Sequence, residues 1–237
     1  MTRDGRLGVG VIGGGRLGPV LAAGLAGAGH AIVGLEAETD RDRDRVTALI
    51  RGAPVLDRAT VIERSELVIV DVDNPATELG PLLERVTAER SWVQGQLVLH
   101  TAPQFGTAPL GPALDAGVIP LAVHPAIAVT GTSLDLARLR EAWCAVTAPR
   151  PVLPIAQALV VELGAEPVVI AEEHRATYAE AIATATEFTN SIVQQAVSLL
   201  TEIGVDQPGF VLSSLVRSAA DNALADSTPP TLEVPEA

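Results

Sequence analysis

The segment Gly13-Gly14-Gly15-Arg16-Leu17-Gly18 constrains this chain more than any other, because it joins a short apolar run, Gly8–Ile12, to a helix-like run, Leu17–Ala28. Glycines at that spacing between a strand and a helix form the phosphate-binding turn of a dinucleotide-binding βαβ unit. Gly13 permits a tight turn, Gly15 lets a pyrophosphate approach the backbone, and Gly18 lets the helix pack closely on the strand. Free N–H groups and the helix dipole then face the phosphates, which makes Gly13, Gly14, Gly15, Arg16, Leu17 and Gly18 the candidate cradle. The alternative is a glycine-rich turn that packs a helix and binds nothing.

Beyond the turn, short β-branched runs alternate with longer helical patterns, the mark of a mainly parallel sheet with crossover helices. Strands are expected near Leu7–Ile12, Ala31–Leu35, Leu67–Val72, Gln96–His100, Ile119–Val123, Trp143–Thr147 and Pro167–Ile170. Helices are expected around Leu17–Ala28, Arg43–Leu49, Glu78–Thr87, Pro109–Ala116 and Pro154–Leu163. From Glu172 no further strand is visible, and a long helix runs from about Glu173 to Ile203, followed by a second from Phe210 to Leu224. The fold class is therefore α/β, a doubly wound Rossmann-like domain over residues 1–171, followed by a small all-α domain over 172–237. An acidic, Pro-rich tail from about 226 is expected to be poorly ordered. Apolar residues at three-and-four spacing from Tyr178 to Ile203 predict one buried stripe, longer than two helices and the sheet can cover. A homodimer through the helical region is the consequence.

Charge narrows the partners. A net charge of -13 repels nucleic-acid phosphates and anionic membrane surfaces, and the apolar stretches fall short of a bilayer span. Absence of lysine excludes Schiff-base or lysine-acid chemistry, and the single Cys144 excludes an internal disulfide and a Cys-rich metal site. With no exported-type leader at Met1–Arg6, a cytoplasmic protein is expected.

Ligands of open α/β sheets bind beyond the carboxyl ends of the strands, so the residues that follow each run are the candidates. Glu36, after the second strand, could accept from ribose hydroxyls and repel a 2′-phosphate, which favours NAD over NADP. Arg41, Arg43 and Arg45 just beyond keep NADP open. Asp73 and Asn74 are expected to shape a loop or touch ribose. His100 and His124 each end an apolar strand, and each reads equally as a general acid or as a cap on backbone carbonyls. At the start of the long helix, Arg175 is the candidate anchor for a substrate carboxylate, and Tyr178 completes the candidate catalytic set. No metal site is expected.

Taken together, Val9–Gly13, Gly52–Asp57, His100-Thr101, Leu121–Pro125, Tyr178 and Asn222-Ala-Leu224 resemble bacterial oxidoreductase-like proteins with a Rossmann-like domain and a helical domain of unknown function. Those are relatives of 6-phosphogluconate dehydrogenase and pyrroline-5-carboxylate reductase. The His124-Pro125 pair is also similar to one near the substrate in prephenate dehydrogenases. The resemblance implies a sheet extended by the runs near Trp143 and Pro167, then a dimerising helical domain. Departures from the pattern are Ala179 where a histidine usually follows the helical tyrosine, the missing C-terminal motifs of a shortened member, and the lack of a catalytic lysine.

Two functions follow as expectations: an NAD(P)-dependent oxidoreductase of a small carbonyl, imine or hydroxyacid, or a non-catalytic dinucleotide-binding dimer that has lost the site.

Overall fold

The computed structural model describes residues 6–37 and 39–227. Expectations about the first five residues, the Arg41 side chain and the tail beyond Ser227 lie outside the described residues.

Seven strands form one sheet: β1 (Gly8–Ile12), β2 (Ala31–Leu35), β3 (Leu67–Val70), β4 (Leu97–His100), β5 (Ile119–Pro125), β6 (Trp143–Thr147) and β7 (Glu166–Val169). Their order is β2-β1-β3-β4-β5-β6-β7, and every neighbouring pair is parallel except β5 with β6. The chain leaves β1 for β2 on one side and for β3 on the other, which makes the β1–β3 junction the topological switch point.

The unbroken apolar strands follow from burial on both faces. Leu67 and Ile69 of β3 join one core with Val20, Leu21 and Leu25, whereas Val68 and Val70 join a second core with Leu79, Leu83 and Val86. Those partners belong to α1 (Leu17–Gly27) and α4 (Pro75–Ala88), on opposite faces of the sheet. The other long crossovers are α2 (Asp40–Leu49) and α6 (Leu153–Glu162).

Three elements differ from the sequence expectation. Helices α3 (Arg58–Arg64) and α5 (Leu134–Arg140) are absent from it, because seven residues make only two turns and show little periodicity. Only the cap of α3 is written locally, since the Asp57 carboxylate accepts from Thr60 N at 3.0 Å. The segment Ala108–Ala116 is a 3-10 helix, not an α-helix. Pro109 and Pro112 each remove a donor and disfavour the α-helical ladder there.

The chain divides into two compact units between Ile182 and Ala183. That division falls within α7 (Arg175–Glu202), and α8 (Pro208–Ser227) completes the second unit. Of α7 only Arg175 is buried, and α8 buries no residue. The stripe expected to be buried is thus only partly covered in a single chain: Tyr178, Ile182, Val193 and Leu200 are half-buried, whereas Ile192 is 64% exposed and Ile203 74%. Among the described residues no helix is long and apolar enough to cross a membrane.

Candidate functional site

Gly13 and Gly14 turn the chain out of β1 with φ of +103° and +77°, a region L side chains rarely enter. Behind the turn stands Asp71, the residue after β3. Its carbonyl accepts from Gly15 N at 3.0 Å, and its Oδ2 accepts from the amides of Leu17 and Gly18, both at 2.7 Å. Thr101, after β4, donates its hydroxyl to Oδ1. A Cβ on Gly15 would collide with this carboxylate, and one on Gly18 would lie 2.7 Å from Val11 Cγ1. Gly15 and Gly18 are therefore required by packing inside the chain, as the motif reading expects for Gly18 and does not show for Gly15. A Cβ on Gly14, by contrast, would meet open space.

Two hollows flank the turn. The first, about 580 Å³, is bounded by Gly13, Gly14, Asp42, Arg45, Arg58 and Asp73. The second, about 210 Å³, is bounded by Arg16, Asp71, Thr101, Pro103 and His124. Val72 and Asp73 belong to both walls, so the hollows adjoin across the switch point, where α/β sheets bind ligands.

At the first hollow, Glu36 takes a hydrogen bond from Gly13 N at 3.0 Å and pairs with Arg58 at 2.8 Å. Arg58 belongs to α3, so this partner escaped a reading that left α3 out. Arg45 reaches the carbonyls of Gly14 and Gly15, both at 3.4 Å, and pairs with Asp42 at 3.5 Å. Arg43 is exposed. Asp73 pairs with Arg16 at 3.5 Å, both largely exposed, and Asn74 is the capping residue just before α4, its backbone amide donating to Glu78 at 3.0 Å. The charges and the glycine turn suit a nucleotide in shape and donor type. The phosphate seat is the exception, because two of its donors are already bound to Asp71.

At the other end the two histidines separate. His100 is fully buried; its Nδ1 accepts from Ala102 N at 3.2 Å and its Nε2 donates to the Gly106 carbonyl. Burial lowers its pKa to about 4. With both nitrogens bonded to backbone, His100 has the contacts of the capping alternative among its two sequence readings. Glu172 holds the far side of that loop, accepting from Thr107 N at 2.7 Å.

His124 borders the second hollow. Its Nδ1 lies 3.0 Å from the Tyr178 hydroxyl, the rings meet edge-to-face at 5.7 Å, and Tyr178 donates to the His124 carbonyl at 3.3 Å. Among the described residues Nε2 has no hydrogen-bond partner. Burial, with help from Arg175, lowers the His124 pKa to about 4, while burial pushes Tyr178 up to about 12.

Arg175 corrects an expectation. It is fully buried, donating to Thr147 Oγ1 and the Ala122 carbonyl, both at 2.8 Å, and to the Ala145 carbonyl at 3.3 Å. These bonds tie the start of α7 to β5 and β6, and they place the guanidinium behind Tyr178, 5.9 Å from its ring centre, instead of in an open cleft. Burial lowers its pKa to about 10, so it stays charged at neutral pH.

Residues 1–125 match the family described as Rossmann-like domain, and residues 142–233 match a domain of unknown function, DUF2520. Among solved structures, a candidate NADP oxidoreductase from Bacteroides fragilis superposes with a TM-score of 0.73 at 19% identity, covering 95% of this chain and 85% of that one. The 1-pyrroline-5-carboxylate reductase of Streptococcus pyogenes gives 0.69 at 14% identity, covering 96% and 83%. An imine reductase from Myxococcus stipitatus, in complex with NADP+, gives 0.66 at 20% identity, covering 92% and 75%. At these identities the likeness is one of fold. No curated protein matches the sequence. Over the larger part of its length the chain belongs to the Rossmann-like domain family, and it continues into a DUF2520 domain.

Proposed function

We propose that this chain is an NAD(P)-dependent oxidoreductase of a small carbonyl, imine or hydroxyacid, with residues 1–171 holding the dinucleotide and 172–237 forming a helical dimerisation part. The observation that carries the reading is His124, which borders the hollow adjoining the glycine-turn hollow and whose Nε2 has no hydrogen-bond partner among the described residues. Fold neighbours solved with NAD+ and with NADP+, both imine reductases, support the cofactor class.

When bound, the dinucleotide supplies or accepts hydride at the substrate carbon; the chain itself moves the proton. Both hydrogen bonds at Tyr178 are satisfied together when His124 Nδ1–H donates to the phenol oxygen and the phenol donates to the His124 carbonyl. That tautomer leaves a lone pair on Nε2. A pKa near 4 keeps the ring neutral at physiological pH, which favours the direction in which His124 accepts a proton from a hydroxyl or amine. In the reverse direction the imidazolium returns it. Tyr178 orients the ring, and buried Arg175 fixes Tyr178.

Glu36 favours NAD over NADP, since its carboxylate stands at the ribose end and opposes a further phosphate. The protein works in the cytoplasm as a homodimer on a small-molecule substrate. A non-catalytic dinucleotide-binding dimer is the second reading, favoured by Ala179 beside Tyr178.

Calorimetric titration with NAD+, NADH, NADP+ and NADPH, followed by a turnover screen on hydroxyacids, amines, imines and carbonyls, tests the proposal. Binding with turnover that His124→Ala abolishes is the expected result. Binding without turnover leaves the second reading, and absence of binding removes both.

A further inference from the structure

The carboxylate of Asp71 takes amides at the start of α1, the kind of group that a dinucleotide-binding turn offers to a phosphate. Asp71 is 4% exposed, yet among the described residues no cation pairs with it; its oxygens are met by the Leu17 and Gly18 amides at 2.7 Å and by the Thr101 hydroxyl. Those amides open α1, where unpaired N–H groups and the helix dipole gather positive potential. An amide proton makes one good hydrogen bond, so a carboxylate oxygen and a phosphate oxygen compete for it. Gly15 N is spent as well, on the Asp71 carbonyl at 3.0 Å. Among the described residues, the Gly14 and Arg16 amides are the members of the turn left without a protein acceptor.

Charge and space both bear on the competition. Ionised Asp71 would sit against incoming phosphates as a like charge, while Asp73, two residues on in the same loop, is paired with Arg16. A Cβ at position 15 would also collide with the Asp71 carboxylate, so the motif glycine leaves room for this internal anion, which the sequence motif assigns to the ligand.

We propose that Asp71 is a built-in competitor for the phosphate seat: a dinucleotide binds by displacing its carboxylate from the Leu17 and Gly18 amides, and that exchange sets the affinity. The inference rests on the dinucleotide reading above. Asp71 is a positioning group of the ligand-free turn, not a reacting one. Its removal frees two donors and one negative charge at the seat.

The test is calorimetric titration of NAD+ into the wild-type protein, Asp71→Asn and Asp71→Ala, with amide NMR on the wild type. Asn keeps the size and loses the charge; Ala frees both donors. Both variants are expected to bind at least tenfold more tightly than the wild type. The Leu17 and Gly18 amide resonances of the wild type are expected to move on NAD+ addition. Wild-type binding that leaves those two resonances in place, or folded variants that bind no better, overturns the proposal and leaves the dinucleotide reading standing. Absence of binding by all three proteins overturns both.

Discussion

The Tyr178 hydroxyl lies 3.0 Å from His124 Nδ1, across 54 residues of sequence, and engages that nitrogen of a ring that borders the second hollow. Tyr178→Phe keeps the ring and deletes this bond, so the imidazole loses its orienting partner. On the proposed mechanism kcat falls by about tenfold with KM little changed, whereas His124→Ala lowers kcat by about a hundredfold or more. Steady-state kinetics with the substrate found in the screen decide the matter. A Tyr178→Phe enzyme with wild-type kcat and an unshifted pH profile would remove Tyr178 from the mechanism.

Buried His100 and His124 make the fold sensitive to acid. In the folded chain their pKa values are about 4, below the ordinary 6.5, so the unfolded chain binds more protons between those values. Stability is therefore complete above pH 6.5 and falls as the pH drops toward 4, by on the order of 3 kcal/mol for each ring. Asp71 acts in the opposite sense, because burial raises its pKa and the folded state gains stability as it protonates. Urea unfolding of the wild type and His124→Asn, from about pH 7 to about pH 5, isolates one ring. The variant is expected to lose less stability on acidification, and equal losses would contradict the shift assigned to His124.

Much of this architecture is legible in the sequence, because hydrophobic runs report burial directly. The seven strands and the glycine turn are written as local patterns, and β3 shows why: Leu67-Val-Ile-Val70 is apolar throughout since both faces are covered. Contacts that depend on distant residues are another matter. His100 and His124 look alike in sequence, each ending an apolar strand. What separates them is the Ala102 amide and Gly106 carbonyl around one ring and Tyr178 beside the other. Arg175 likewise reads as a surface cation at a helix start until Thr147 and the β5–β6 carbonyls are seen to enclose it. Asp71 carries the sharpest lesson. A charged residue straight after an apolar strand marks a ligand-facing position, but only the fold brings its carboxylate to the α1 amides.

On the proposed reading, cofactor choice turns on Glu36, which pairs with Arg58 at 2.8 Å. While Glu36 holds that guanidinium, the ribose end offers a carboxylate to hydroxyls and little net attraction to a 2′-phosphate. Glu36→Gln removes the negative charge and leaves Arg45 and Arg58 to dominate the end of the hollow. The ratio of NADP+ to NAD+ affinity is expected to rise by about tenfold, and Arg58→Ala is expected to lower it. Calorimetry on both variants with both dinucleotides reads the ratio, and an unchanged ratio in Glu36→Gln would take Glu36 out of cofactor selection.

Phe188, Ile192 and Leu199 along α7, and Ile203 just past its end, are each more than half exposed, and Phe210 and Leu215 are so along α8. The first four recur at intervals of four, seven and four, the spacing of one side of a helix. Apolar surface of that extent carries a hydration cost of roughly 25 cal/mol for each Å² left in water, a cost that association with a second copy relieves. Light scattering coupled to size exclusion is expected to give twice the chain mass at micromolar concentration. Replacing Ile192 and Ile203 together by Asp puts two charges into the seam and is expected to give a monomer whose sheet unit keeps its circular dichroism. A wild-type protein that elutes as a monomer would remove the dimer, and a double variant that stays dimeric would move the interface off this stripe.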